Sequence, residues 1–349
     1  WASTRILRIF SDSNPLKEIA EPKQGMATTD NSRFLRLWHE VDFENIGIGF
    51  LNRELALASL RKWFPYSKGG DFRKWYGNNY FVVNYYKDGM ELKQVVKEKY
   101  KTRSYAQGFS EERWERLIEI WVLKNQQFYF LPSITWTFVS SSFFGVRYCP
   151  SGFIFDVGGS SVFPDHGKIT ELLAFLASHV CKFLLNFLNP TLNYQVENVA
   201  NIPIKIDIFD KRYNIRHNSF DAISISKSDW DLRETSWDFR RSPLLTDYTA
   251  PRIDTIIDEN LTDWSWPSAF RPGVEVDLAK QAESFKKHWT ALFLELHHNE
   301  EENNRIFIEL YGLQEELTPE VPYTEITILK MSSSNLHAKK TASNTMRAC

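Results

Sequence analysis

Between positions 61 and 103 the chain carries 11 lysines and arginines against four acids, interleaved with aromatic residues from Trp63 to Tyr86. Lysine and arginine neutralise the phosphates of a duplex, and each neutralised phosphate contributes through released counterions. Lys62, Lys68, Arg73, Lys74, Lys97, Lys99 and Lys101 are the candidates for that work. A solvated face over core aromatics explains the same composition, and the sequence leaves both readings open. Asn78 and Asn79 follow Gly77. Their amides can donate and accept at an adenine edge, and they can equally close a turn. A second stretch, residues 133–164, combines the hydroxyl run Ser140, Ser141 and Ser142 with a lone Arg147 and the pair Gly158-Gly159. Small hydroxyls, one arginine and paired glycines let a backbone approach a polar ligand closely. A β-meander with serine-rich turns is the plainer account.

The elements that must hold these groups follow from periodicity. Ile134, Trp136 and Phe138 alternate with Thr135, Thr137 and Val139, the pattern of a half-buried strand. Residues 153–155 predict a second strand, and 156–161 a loop. Residues 80–86 read as a strand, 87–89 as a turn and 90–105 as a polar helix. A short helix is expected over 52–63, broken by Pro65 and Gly69-Gly70. Ser110 can cap another through about residue 124, with Trp114, Leu117, Ile118 and Trp121 on one stripe. Residues 169–188 predict one wide-faced apolar helix ended by Asn189-Pro190. Residues 274–310 repeat apolar side chains every three or four positions, Leu278 to Leu296, and so form a helix packed on another element.

With 349 residues, 43% of them hydrophobic and 15% aromatic, the chain can bury a sizeable core. The net charge of −2 is uninformative, but its distribution is not. Residues 1–150 hold 22 basic against 16 acidic side chains, and residues 151–349 hold 20 against 28. Three cysteines without a CxxC pair argue against a disulfide framework and favour the cytoplasm. The longest apolar run, 172–188, contains His179 and Lys182 and is short for a membrane span. No histidines, cysteines or acids stand at metal-ligand spacing, and the adjacent His297 and His298 point to different sides of a helix, both expected in solvent.

The 133–164 stretch, together with RKWYGNNYFVVNYYKDG (73–89), NPTLNYQVENVANIPI (189–204) and RIFIELYGLQEELTPEV (305–321), resembles the adenine-specific DNA methyltransferases of bacterial phage-exclusion systems of the phage growth limitation, or BREX, type. The resemblance runs from about residue 1 to residue 329 and corresponds to the C-terminal part of such an enzyme. It implies a mixed α/β target-recognition domain over 1–205 and a mainly helical spacer over 206–330. Within the spacer, residues 226–239 are Trp-rich and acidic and read as a docking segment. Residues 331–349, polar and without periodicity, read as a disordered or non-native tail where the resembled family has further structured sequence. The resemblance also implies double-stranded DNA as substrate, an upstream methyltransferase domain and other defence subunits as partners, no membrane, and S-adenosylmethionine as the parent's methyl donor, bound outside this chain.

An adenine-N6 methyltransferase holds a flipped adenine on an Asn/Asp-Pro-Pro-aromatic word and binds its cofactor on a glycine-rich loop after a strand. Neither word is present: Asn189-Pro190-Thr191-Leu192 lacks the second proline and the aromatic. Site reading and DNA grip are therefore the expected contribution of this chain, without catalysis and without a metal. Side chains for direct readout are Asn31, Arg33, Asn78, Ser141 and Arg147, the last with an alternative as an internal partner of Asp156. A module that docks defence subunits or a phage anti-restriction protein is the rival, since an acidic DNA mimic would favour the same basic face.

Overall fold

The computed structural model describes residues 4–103, 106–139, 144–165, 167–191, 193–210, 213–245 and 277–328. The chain begins with α1 (Thr4–Asp12), β1 (Asn14–Pro15), β2 (Ala20–Lys23), α2 (Asn31–Phe34) and β3 (Leu35–Leu37). There follow α3 (Arg53–Ala58), β4 (Trp63–Ser67), β5 (Phe81–Asn84), α4 (Tyr86–Lys101) and α5 (Glu111–Trp121). The middle holds β6 (Ser133–Trp136), β7 (Val146–Cys149), β8 (Ile154–Phe155) and β9 (Ser161–Pro164). Then come α6 (Ile169–Ala177), α7 (His179–Leu188), α8 (Val196–Ala200), β10 (Pro203–Ile204), α9 (Ile215–Asp231) and α10 (Leu278–Tyr311). The fold is mixed α/β, as expected, with a long helix late in the chain.

Two four-stranded sheets carry the β part. One, ordered β2-β9-β6-β7, is antiparallel throughout and sets Thr135 opposite Arg147. The other, β3-β5-β4-β8, ends in a parallel pair, β4 with β8. The loop from β8 to β9 stitches the sheets together. Asp156 N–H donates to the Ser67 carbonyl, Val157 N–H to that of Met26, and Phe138 N–H to that of Gly158. β6 is buried on both faces rather than on one, because α6 packs on this sheet while its polar side chains meet the second sheet. Thr135 survives there because its hydroxyl lies 3.1 Å from that of Ser67.

One hydrophobic cluster runs from Ile6 through Trp136, α6, α7 and α9 to Phe307 and Ile328, so the β2-β9-β6-β7 sheet and the late helices share a core. A second cluster fills the space between the other sheet and α4 and α5. β1 pairs with β10, Asn14 opposite Ile204, which closes residues 14–204 on themselves.

Some elements depart from the sequence expectation. The single apolar helix over 169–188 is two, α6 and α7, bent by 69°. Ser178 causes the break: its hydroxyl accepts from Cys181 N–H and donates to the Phe175 carbonyl at 2.6 Å, capping the second helix. No single described helix is long and apolar enough to cross a membrane. The helix expected over 52–63 stops at Ala58, and Leu55, Leu57 and Leu60 face outward while Ala56 is buried. His297 is not in solvent, since its Nε2 lies 2.8 Å from the Val321 carbonyl. The tail over 331–349 lies outside the described residues.

Candidate nucleic-acid interface

The basic stretch divides once folded. Arg73 and Lys74, expected against phosphates, are buried, 6% and 5% exposed. Arg73 pairs with Asp229 of α9 at 2.7 Å and lies over the Trp230 ring, while Lys74 pairs with Glu300 of α10. Trp75 Nε1 donates to the other oxygen of Glu300 at 2.7 Å. A desolvated cation needs a carboxylate in contact, and these two have one each; they tie the β part to the late helices. Two acids of 226–239, the segment expected to dock a partner, serve the same interior: Asp229 receives Arg73 and Asp231 receives Lys227, while Glu234 is exposed. Lys62 pairs with Glu91 at 3.0 Å, Lys68 with Asp156 at 2.9 Å, and Lys97 with Glu111. Lys99 and Lys101 are exposed, with no carboxylate at ion-pairing distance among the described residues.

Two groupings of candidate residues result. The first is on the surface. Asp30 caps the single turn α2 by accepting from Arg33 N–H, which fixes the exposed Asn31 and Arg33 side by side. The Ser32 hydroxyl, the Arg33 amide and the nearby Lys99 and Arg33 charges hold the Asp30 carboxyl below its ordinary value. Thr28 Oγ1 donates to Asn31 Oδ1, and Lys99 Nζ reaches the Thr29 carbonyl at 3.5 Å. Asn31, Arg33 and Lys99 therefore form one cationic, amide-bearing edge, with Lys101 farther along the same helix.

The second grouping lies where the sheets meet. Asn78, buried and at φ 64°, donates from Nδ2 to the Asp71 carbonyl at 2.9 Å, closing the loop over Gly70. Thr137 Oγ1 donates to the Gly70 carbonyl at 3.1 Å, and both Nη atoms of Arg147 lie 3.5 Å from that hydroxyl. Arg147 is 1% exposed, and burial pulls its pKa down to about 10 against the influence of Cys149, with Arg73 adding to the fall. It does not pair with Asp156, which is held instead by Tyr66 Oη at 2.6 Å and Lys68. The strand register dictates this: Arg147 is cross-strand to Thr135 on β6, one strand removed from β9 and its preceding loop. Ser141 lies outside the described residues. Thr137, Gly69 and Gly70 were not among the sequence candidates; the two adjacent glycines, both at positive φ, were the available signal.

Among the described residues no three histidines, cysteines or acids stand together as a metal site. No family model matches the chain. It is 34% identical over 331 residues to the adenine-specific methyltransferase PglX of Lacticaseibacillus casei (strain Zhang), covering 94% of this chain and 24% of that protein. It is also 34% identical over 218 residues to the adenine-specific methyltransferase BrxX of Escherichia coli O9:H4 (strain HS), covering 61% of this chain and 15% of that protein. The chain is a homologue of part of these methyltransferases. It spans a quarter or less of the length of the relatives it matches. Asn189 does not resemble an adenine clamp: its Oδ1 accepts from Thr191 N–H and hydroxyl, and its Nδ2 donates to the Asn193 carbonyl, so the Asn-Pro word is a turn.

Proposed function

We propose that this chain is the DNA target-recognition part of a site-specific adenine-N6 methyltransferase that marks self DNA in a phage-defence system, with S-adenosylmethionine bound by a part of the enzyme outside it. The observation that carries the reading is the 34% identity to adenine-specific methyltransferases across nearly the whole chain. The chain's own sequence lacks an Asn/Asp-Pro-Pro-aromatic word, which supports the grip and the reading, rather than the transfer, as its share. Asn31, Arg33 and Lys99 supply the exposed face, with Lys101 exposed two residues farther along the helix. Base readers work only from a fixed support, and the α2 turn is fixed by Asp30 and by Phe34, fully buried beneath it.

The test is duplex binding by the purified chain against salt. With about three phosphates touched, log K should fall against log salt with a slope near −3. A flat dependence would favour a second reading, a protein-docking module. That reading draws on a cleft of about 440 Å³ lined by Asn52, Arg53, Gln126, Tyr129 and Leu131, near the exposed Leu51, Leu55 and Leu57.

A further inference from the structure

The cleft of about 440 Å³ opens where the start of α3 faces the turn that follows α5. The cation in its wall is already answered. Arg53 donates from Nε to Asp88 at 2.6 Å, and Tyr85 Oη and Lys93 hold the same carboxylate at 2.6 and 3.2 Å. The acids in its wall are not. Glu54 and Glu119 are exposed and have no hydrogen bond or ion pair among the described residues. The neighbouring Lys124 is engaged elsewhere, donating to Gln24 at 2.7 Å.

Tyr129 supplies a second, independent signal. It lines the cleft at 2% exposure, and its hydroxyl has no hydrogen-bond partner. Burial raises the pKa of that phenol, and the charges of Arg53 and Asp88 act on it, so the hydroxyl lies toward the Arg53 wall. A buried polar atom left unpaired costs stability, and a ligand that pairs with it recovers that cost. Apolar surface adjoins. Leu123 and Leu131 line the cleft, and Leu51 and Leu55 stand exposed beside Asn52, whose side chain accepts from Leu55 N–H.

The fitting ligand brings positive charge, several hydrogen-bond donors and apolar surface together. A phosphate meets two carboxylates and is repelled. A bare metal ion leaves the leucines uncovered, and no three histidines, cysteines or acids stand together to hold one among the described residues. An ammonium puts three donors at one point, whereas a guanidinium spreads five over a plane and reaches acceptors on both walls. Arginine is also enriched among the anchors of protein interfaces, set in apolar surroundings.

We propose that this cleft receives an arginine side chain of a partner protein, whose flanking apolar residues rest on Leu51, Leu55 and Leu131. The cleft adjoins Asp88 at the N-terminal end of α4, whereas Lys99 and Lys101 lie at its C-terminal end. The inference goes beyond the DNA-recognition reading and stands without it.

The experiment titrates the full 349-residue chain calorimetrically with a capped pentapeptide, alanine-leucine-arginine-leucine-alanine. A second peptide carries citrulline in place of arginine, which keeps the shape and loses the charge. The arginine peptide should bind saturably and about tenfold more tightly than the citrulline one. The double variant Glu54→Gln/Glu119→Gln should cut that preference about threefold. Tyr129→Phe should weaken the arginine peptide about tenfold. It should melt within about a degree of wild type, because the lost hydroxyl has no partner inside the chain. No saturable binding, equal affinity for both peptides, or a preference untouched by the acid variant overturns the proposal. So does a Tyr129→Phe chain that melts several degrees lower, since the hydroxyl is then answered within the chain. Capped arginine alone binding as tightly as the pentapeptide discards the protein partner in favour of a small guanidinium compound. A duplex-binding arm keeps the two claims apart. Peptide binding without duplex binding keeps the cleft and discards the DNA reading; duplex binding without peptide binding does the reverse.

Discussion

Glu300 answers two partners from one buried position, the Lys74 ammonium and the Trp75 indole. Glu300→Gln keeps the shape and an acceptor for the indole but leaves the ammonium, 5% exposed, without its counter-charge. The expected cost is about 3–5 kcal/mol, read as a lower denaturation midpoint with an unchanged denaturant slope. A loss under 1 kcal/mol would mean that water reaches Lys74. Arg33 and Lys99 sit at the opposite extreme. They are exposed, and neither has an ion-pair partner among the described residues. Alanine at either should leave the melting temperature within a degree or so, since exposed substitutions cost about 0.5 kcal/mol or less. It should also reduce the magnitude of the salt slope of duplex binding by about 1 for each phosphate contact removed. An unchanged slope would take that residue out of the interface.

At the scale of elements, the break between α6 and α7 has a pH signature. His179 opens α7, its N–H bound by Asn304 and its ring Nδ1 facing the Thr318 carbonyl at 3.2 Å. Burial pulls its pKa below the ordinary 6.5; the Thr318 carbonyl and Glu325 oppose this, while Lys74 and Lys182 assist it. A depressed pKa means the folded state binds the proton less readily than the unfolded one, so the stability it contributes is present above pH 6.5 and lost as pH falls through the folded value. Melting temperature should therefore drop between pH 7 and pH 5 more steeply in the wild type than in His179→Gln, and parallel curves would refute the assignment. This break was legible: Ser178 is a good N-cap three residues before Cys181, but the unbroken apolar face of 172–188 outweighed it. The strand at 81–84 and the left-handed turn at Lys87, Asp88 and Gly89 followed from composition, being local. The fate of the basic stretch did not, because its partners Asp229 and Glu300 lie more than 150 residues away. A trace of it was present. Glu300 falls on the apolar stripe of α10 after Phe293 and Leu296, and an acid on such a stripe requires a buried cation.

At the scale of the molecule, the proposed division of labour starts from the motif words that this sequence lacks. The only Asn-Pro words are Asn14-Pro15, which pairs as β1 with β10, and Asn189-Pro190, whose amide is committed to Thr191 and Asn193. Neither offers the free amide and carbonyl that grip an extruded adenine, and no aromatic follows two prolines to stack on it. The glycine pair at 158–159 lies between β8 and β9 rather than before a helix, so its amides do not converge at a helix N-terminus as a cofactor loop requires. The purified chain, incubated with labelled S-adenosylmethionine and duplex DNA, should transfer no label above background. Under the proposed reading it should still retard the duplex at low salt, because grip and reading are separate from transfer. Supplying the remaining part of a relative's methyltransferase in trans should then restore labelling at adenine only if the two parts dock. Turnover by this chain alone would overturn the division of labour, whereas silence together with salt-dependent binding supports it.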